Sequence, residues 1–174
     1  MLERPVIYVC NIEEMPEHAR VLRPRYLASL VTARSQPPTP PEVDGSRHLR
    51  LELDDISTPS PGQVLPGAAQ IRELIEFLSG CEREAPILLH CIAGVSRSTA
   101  AALVALVLDA EGREAEAVDR LGEAAPHAWP NRRIVALADE ILSRDGRLVA
   151  ALDEMILPES IPSLAPLVCL ERLG

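Results

Sequence analysis

The chain has 174 residues and a formal net charge of −9, and its cationic side chains include arginine but no lysine. This length fits one domain with a single core, and the acidic balance argues against nucleic acid or an anionic membrane as the main partner. The four cysteines lack metal or disulfide spacing, and neither a membrane span nor a secretory signal is visible, which predicts a cytoplasmic protein with reduced thiols.

The first part of the chain is predicted to alternate between strands and a helix. Val6–Cys10 has the pattern of a short buried strand, Glu13–Leu22 that of a helix, and Tyr26–Thr32 that of a second strand. The proline-rich stretch Gln36–Pro41 can form neither a helix nor a central strand, because proline lacks the backbone N–H that both require. We therefore expect a surface loop there.

The middle of the chain continues this alternation. In His48–Leu53, leucine alternates with charged residues, which predicts a strand with one face in the core. Ala68–Ser79 has helical periodicity and is followed by a glycine that can end the helix. Pro86–His90 is short and continuously apolar, as expected for a central strand covered on both faces.

The remainder is predicted to be mostly helical. The predicted helices are Ser98–Asp109, Glu114–Ala124, Asn131–Ser143 and Arg147–Met155. We assign residues 1–157 to a single domain and residues 158–174, with three prolines, to a C-terminal tail that wraps the domain or pairs with a partner. Strands that alternate with helices indicate an α/β fold, in which a central, mainly parallel sheet of about four to five strands is flanked by helices on both faces.

The segment from His90 to Ser98 reads His-Cys-Ile-Ala-Gly-Val-Ser-Arg-Ser and joins the buried strand to an apolar helix. The first N–H groups of a helix lack intrahelical partners and bind anions, and successive loop N–H groups add a concave nest. Gly94 permits a turn that a side chain would resist, and the planar Arg97 guanidinium can grip two phosphate oxygens. The predicted phosphate-binding residues are Ile92, Ala93, Gly94, Val95, Ser96 and Arg97.

Cys91 is the first residue of this loop. The donors that favour a phosphate also favour a thiolate, which is the reactive form of cysteine. We therefore predict that Cys91 is a nucleophile, that the Ser98 hydroxyl supports its sulfur, and that His90 has a structural role in holding the backbone around it. The alternative is an ordinary buried thiol, which is how we interpret Cys10, Cys81 and Cys169.

The loop resembles the signature loop of the protein tyrosine phosphatase superfamily, His-Cys-x5-Arg-Ser/Thr, and its Ala-Gly-x-Ser-Arg-Ser ending is similar to the dual-specificity branch. Pro130 and Asn131 resemble a pair that opens a late helix in that branch, whereas the neighbouring Trp129 is interpreted as a packing residue. The N-terminal part is similar to a compact bacterial group of tyrosine phosphatases. The resemblance covers residues 48–142.

The resemblance implies a general acid, an aspartate on a loop upstream of the nucleophile, which protonates the leaving oxygen. Asp54 and Asp55 lie 37 and 36 positions before Cys91. We predict Asp55 as the acid, because strand alternation places it on the same side as the core leucines, and we keep Asp54 as the alternative. Either residue could instead be a solvated loop carboxylate or a helix cap.

The sequence thus predicts a phosphomonoester hydrolase of the tyrosine or dual-specificity type that forms a cysteinyl-phosphate intermediate and needs neither a metal nor a cofactor. Its substrate is expected to be a phosphorylated protein or a small phosphomonoester, since the apolar loop residues Ile92, Ala93 and Val95 disfavour highly phosphorylated inositol lipids. Two alternatives remain open: a rhodanese-like sulfurtransferase, which needs no upstream acid, and a catalytically silent phosphate-binding module. The oligomeric state is left open.

Overall fold

The computed structural model describes residues 6–108 and 110–174. At its centre is a five-stranded sheet with the order β3-β2-β4-β1-β5. Its strands are β1 (Val6–Cys10), β2 (Tyr26–Val31), β3 (His48–Glu52), β4 (Ile87–His90) and β5 (Val168–Glu171). The first four are parallel to their neighbours, and β5 runs antiparallel to β1. The predicted mainly parallel sheet is confirmed, and the four predicted strands agree with the structure to within one residue at each end.

Helices cover both faces of this sheet, as predicted. They are α1 (Met15–Leu22), α2 (Ala68–Gly80), α3 (Arg97–Val107), α4 (Glu114–Ala124), α5 (Arg132–Ile141) and α6 (Arg147–Asp153). Met15 and Ala19 of α1 pack on one face against Leu27 and Leu88. The other five helices contribute to a larger core on the opposite face, where every residue of α3 is buried. This burial is consistent with the apolar, alanine-rich sequence of α3.

Several helix ends differ from the predicted ones because local hydrogen bonds compete with the helix. The first helix begins at Met15 rather than Glu13, since the side chain of Asn11 accepts a hydrogen bond from the Glu14 amide and holds a turn there. The helix α5 ends at Ile141 and not at the predicted Ser143, because Ser143 has a left-handed φ of 54° that a helix cannot contain. Asp109, the predicted end of α3, lies outside the described residues.

The strand β5 is absent from the predicted elements, although it lies within the segment interpreted as a tail. Val168 and Leu170 face the core, whereas Cys169 and Glu171 are exposed. The interpretation of Cys169 as a core residue is therefore wrong, because its side chain lies on the outer face of an edge strand. Cys10 and Cys81 are buried, in agreement with their interpretation.

The topology brings the candidate catalytic residues to one edge of the sheet. Cys91 follows the carboxyl end of β4, Asp55 lies three residues beyond β3, and Asn11 follows β1. Parallel strands of an open α/β sheet present these ends side by side, and this edge is where such folds bind their ligands. Among residues 6–108 and 110–174, no helix is long and apolar enough to cross a lipid bilayer.

Candidate active site

The loop between β4 and α3 turns at Gly94, which has a left-handed φ of 74°. A Cβ atom on this residue would lie 2.9 Å from the backbone carbon of Cys10 and 3.0 Å from the amide nitrogen of Asn11. The loop therefore passes directly over the end of β1, closer than any residue with a side chain could. Glycine is required here for both its backbone conformation and its lack of volume.

The carbonyl groups of the loop point into the protein, where backbone donors hold them. Ile92 O accepts from the Ile12 amide at 3.0 Å, and Ala93 O accepts from the Ala165 amide at 2.8 Å. Val95 O accepts from the amide of Trp129 at 2.9 Å.

A peptide N–H points in the opposite direction to the carbonyl of the same planar unit. The amides that follow these carbonyls are therefore turned away from the protein and toward the cavity in front of the loop. Since the same edge also presents the N-terminus of α3, the loop has the geometry of the anion-binding nest that the sequence predicts.

Cys91 lies at the base of this nest with only 2 % of its surface exposed. Its Sγ is 3.1 Å from the Ser98 Oγ in the first turn of α3. A hydroxyl can donate to a thiolate, so Ser98 is positioned to stabilise negative charge on this sulfur. Cys91 is among the residues that line a cavity, which argues against an inert core thiol.

Arg97 is buried, yet it is among the residues that line the same cavity. Its Nη1 donates to the Leu53 carbonyl at 3.0 Å, which fixes the plane of the group. Its Nε is buried and has no hydrogen-bond partner among the described residues. A buried guanidinium held at one nitrogen, with other donors free, suits an anionic ligand such as a phosphate.

Asp55 lies across the cavity mouth and is held by two donors. Its Oδ1 accepts from the Ser96 Oγ at 2.7 Å and from the Asn131 Nδ2 at 2.8 Å. The Asn131 Oδ1 accepts in turn from the amides of Arg133 and Ile134, so the same side chain caps α5. Asn131, the cap of α5, therefore orients the Asp55 carboxylate, and both donors bind Oδ1 rather than Oδ2.

Asp54, the alternative acid, has a different role. Its Oδ2 accepts from the Val64 amide at 2.7 Å, and its own amide donates to the Val64 carbonyl at 2.8 Å. These two bonds close the base of the loop that follows β3. Asp54 is not among the residues that line the cavity, so of the two aspartates only Asp55 lines the same cavity as Cys91.

His90 lies behind the loop and is fully buried. Its Nδ1 is 3.3 Å from the Cys91 carbonyl oxygen, and its Nε2 is 2.6 Å from the Ser29 Oγ. Burial lowers the pKa of His90 to about 4, so its ring is neutral near pH 7. His90 therefore supports the loop from behind rather than exchanging protons with a ligand.

On the neighbouring strand β1, burial raises the pKa of the Cys10 thiol well above its usual range, and the charge of the nearby Cys91 raises it further.

Of the comparisons with known proteins, the one with solved structures found matches, and these matches share one fold. No family model and no curated protein matches the sequence. Among solved structures, human DUSP28 matches with a TM-score of 0.58 and 20 % identity over 80 % of this chain and 94 % of that one. The active form of Tk-PTP matches with a TM-score of 0.55 and 22 % identity over 76 % and 86 %. PTPMT1 in complex with PI(5)P matches with a TM-score of 0.57 and 15 % identity over 80 % and 94 %.

The chain has the protein tyrosine phosphatase fold. These structures are tyrosine and dual-specificity phosphatases, as the sequence resemblance implies. At these identities the likeness concerns the fold, and the chemistry of this chain must be argued from its own residues. In the phosphatase fold found here, the loop with Cys91 and Arg97 occupies the junction between the central strand and the buried helix.

A cavity of about 530 Å³ opens in front of the loop. Besides the loop itself, its walls include Trp129, Pro130 and Ile161. Trp129, interpreted from the sequence as a packing residue, is 40 % exposed and also lines this cavity. One further cation, Arg132, lines the cavity and is ion-paired with Asp153 at 2.5 Å.

Sequence reasoning did not assign a function to Asn11, Asn131 or Ile161. Asn131 follows a proline and opens a helix, so its role as a helix cap can be predicted from the sequence. Its hydrogen bond to Asp55 cannot, because it joins residues 76 positions apart. The Asn11 Nδ2 donates to the Ala165 carbonyl across 154 positions. No local pattern marks contacts of this range, because they depend on how distant segments of the chain meet beside the loop.

Replacing Gly94 with alanine tests the close approach of the loop. The left-handed backbone costs alanine about 1–2 kcal/mol, and the new Cβ would press on the immobile backbone of β1. We expect the loop to shift and kcat/KM for an aryl phosphate to fall about 100-fold. Gly112→Ala is the matched control, because Gly112 has a φ of 80° but nothing within 4 Å of its Cβ position. Equal activity of the two variants would contradict a geometric role for Gly94.

Proposed function

We propose that the protein is a phosphomonoester hydrolase, a protein tyrosine phosphatase of the dual-specificity type, that acts through a cysteinyl-phosphate intermediate. The observation that carries the proposal is the arrangement around Cys91: a nest of backbone amides, a buried guanidinium with free donors, and a carboxylate across the cavity mouth. Each element serves one need of phosphoryl transfer, namely a nucleophile, charge stabilisation and a proton donor.

In the first step the Cys91 thiolate attacks phosphorus as the bond to the ester oxygen breaks. The loop amides and Arg97 bind the equatorial oxygens, and Asp55 transfers its proton to the leaving oxygen. In the second step a water attacks the cysteinyl phosphate while the Asp55 carboxylate accepts a proton from it. The sulfur–phosphorus bond breaks, inorganic phosphate forms, and the Ser98 hydroxyl stabilises the departing thiolate. His90 keeps the loop backbone in place.

The cavity walls favour an ester of an apolar, flat alcohol. Trp129, Pro130 and Ile161 offer contact area to an aromatic ring, and the two cations of the cavity, Arg97 and the ion-paired Arg132, fit a single phosphate better than several. We propose phosphotyrosine in a protein, or a small aryl phosphate, as the substrate class. The chain is proposed to act as a single domain in the cytoplasm.

Two alternatives receive less support. A rhodanese-like sulfurtransferase does not need a carboxylate facing its nucleophile, whereas Asp55 is held at the cavity mouth by two donors. A silent phosphate-binding module does not need a thiol at the base of its nest. The solved structures that match the chain also have the phosphatase fold rather than a sulfurtransferase fold.

The deciding experiment measures phosphate release from an aryl phosphate by the purified chain, with and without vanadate, beside sulfur transfer from thiosulfate to cyanide. We expect vanadate-sensitive phosphate release and a phosphate bound to Cys91 in a rapidly acid-quenched sample, detected by mass spectrometry of the Cys91 peptide. Sulfur transfer without phosphate release would replace the proposal with the rhodanese-like function. Phosphate binding with neither reaction would establish the silent module.

Replacing Trp129 with alanine tests the apolar wall. Loss of this indole should lower kcat/KM for an aryl phosphate about tenfold, mainly through KM, because it removes contact area for the ring. The value for glycerol phosphate, which has no ring, should change little. Val21→Ala is the control, since Val21 is an exposed apolar residue of α1, on the far face of the sheet. An equal loss for both substrates would show that Trp129 supports the loop instead of the substrate.

A further inference from the structure

A line of side-chain hydrogen bonds runs behind the catalytic loop from β4 to β2. It begins at the Cys91 carbonyl oxygen, 3.3 Å from the His90 Nδ1. The His90 Nε2 is 2.6 Å from the Ser29 Oγ, which is itself 2.7 Å from the Nε2 of His48. Ser29 and His90 are fully buried, and one hydroxyl therefore joins two imidazole rings inside the sheet layer.

The line continues to the surface through the proline-rich loop. The His48 Nδ1 is 2.8 Å from the Thr39 Oγ1, and the same oxygen accepts a hydrogen bond from the Arg50 Nη2 at 3.4 Å. We call the side chains of Arg50, Thr39, His48, Ser29 and His90 the histidine chain. It connects an exposed cation on β3 with the peptide that carries the nucleophile.

The carbonyl end of the histidine chain and the neutral state of both rings determine the proton positions in the chain. A guanidinium can only donate and a carbonyl oxygen can only accept, whereas a neutral imidazole has one donor and one acceptor nitrogen. The His90 Nδ1 must therefore carry the proton that is donated to the Cys91 carbonyl, and its Nε2 must accept from the Ser29 hydroxyl.

The same reasoning assigns the outer half of the histidine chain. Since the Ser29 hydrogen is directed to His90, its oxygen accepts from the Nε2 of His48, which therefore carries that ring's proton. The His48 Nδ1 accepts from the Thr39 hydroxyl, and the Thr39 oxygen accepts from Arg50. Both rings are neutral near pH 7, because burial lowers the pKa of each to about 4.

All the hydrogens of the histidine chain thus point toward Cys91. Aligned hydrogen bonds polarise one another, and the last of them polarises the peptide between Cys91 and Ile92. The carbonyl of this peptide faces His90, so its N–H, on Ile92, faces the cavity. A polarised peptide is a stronger donor to an anion in front of the loop.

We propose that the histidine chain is a positioning device that orients the Cys91–Ile92 peptide and favours the thiolate form of Cys91, with Ser29, His48 and Thr39 as its positioning residues. Its catalytic consequence rests on the proposed function. Besides Cys91, the titratable or charged residues that line the cavity are Asp55, Arg97 and Arg132, and Cys10 lies close enough to Cys91 for their charges to interact. The titratable or charged neighbours of His48 are Arg50 and His90. The tests below change His48 and Thr39 and leave all of these in place.

The proton positions can be read directly from long-range ¹H–¹⁵N spectra of the uniformly ¹⁵N-labelled chain near pH 7. The two rings should show opposite neutral tautomers, with the proton on Nδ1 in His90 and on Nε2 in His48. The remaining imidazoles, His18 and His127, are assigned with His18→Gln and His127→Gln. A proton on the Nε2 of His90, or on the Nδ1 of His48, would overturn the proposed direction.

The effect on the sulfur is measured by site-resolved alkylation with iodoacetamide, which reacts with thiolates, between about pH 5 and pH 9. The exposed Cys169 is the internal reference. His48→Leu should move the rising limb of the Cys91 profile to higher pH by roughly 0.5–1 unit, which is about threefold to tenfold slower alkylation on that limb. The His48→Gln variant should keep the wild-type profile, because the glutamine amide places a donor near the position of the His48 Nε2.

Thr39→Val removes one hydroxyl from a half-buried loop position and should produce a smaller shift in the same direction. The proposal fails if this variant and His48→Leu both match the wild type, or if His48→Gln shifts as far as His48→Leu, which would indicate packing alone. If His48→Leu does not fold, a wild-type profile for Thr39→Val overturns the proposal. Because alkylation needs no phosphate ester, this outcome is independent of whether the chain hydrolyses one.

Discussion

Replacing Cys91 with serine is expected to abolish phosphate release from an aryl phosphate, with a loss of about 10⁴-fold or more. Only 2 % of the surface of Cys91 is exposed. Because serine is close to cysteine in size, it should fit the same space and the fold should persist. A hydroxyl does not ionise near neutral pH as a thiol can, and the nest would then hold a phosphate in front of a poor nucleophile. The variant should therefore still bind phosphate but should not hydrolyse the ester.

The measurement therefore has two parts. Phosphate release is followed over long incubations, and vanadate or phosphate binding is measured by calorimetry on the same preparation. Cys169→Ser is the matched control, because it makes the same chemical change on the exposed face of β5 and should leave the rate unchanged. A Cys91→Ser protein that hydrolyses the ester at the wild-type rate would rule out the cysteinyl-phosphate mechanism.

The second large effect is expected for Asp55→Asn. An amide can keep the hydrogen bond from the Ser96 hydroxyl but cannot protonate a leaving oxygen, so kcat should fall by roughly 10²–10³-fold. The loss should be greatest for esters of weakly acidic alcohols, which depend most on the proton.

Asp54→Asn is the matched control for this prediction. It makes the same change of charge one position earlier, at a carboxylate that accepts a hydrogen bond from Val64 outside the cavity. Its rate should stay within a few-fold of the wild type, because an amide oxygen can still accept that bond. The opposite ranking of the two variants would exchange the roles assigned to these neighbours.

The parts of the molecule that the sequence predicts well are those defined by local pattern. The continuous apolar run of β4, the glycine that follows it and the alanine-rich α3 all lie close together in the chain, and together they specify the loop geometry. The strand at His48–Glu52 is equally local, since its leucines alternate with charged residues. Periodicity is sufficient wherever one segment contains all the information that the element needs.

The parts that were missed depend on distant partners. The strand β5 has only four residues and is stabilised by pairing with β1 at the other end of the chain. The sequence favours Asp55 over Asp54 as the acid but does not decide between them, because strand alternation stops where the chain turns. Their final positions are determined by Val64 for one and by Asn131 for the other.

The amide of Ala165 that holds the Ala93 carbonyl has a consequence for biosynthesis. Asn11 and Ala165, which are 154 positions apart in the chain, meet beneath the turn at Gly94. A ribosome that has translated Cys91 and Arg97 has therefore made the reactive groups but not the support that shapes their surroundings. A nascent chain that stalls before Ala165 emerges has the Cys91 thiol without this support for the loop, and we expect it to become competent only after Ala165 has emerged.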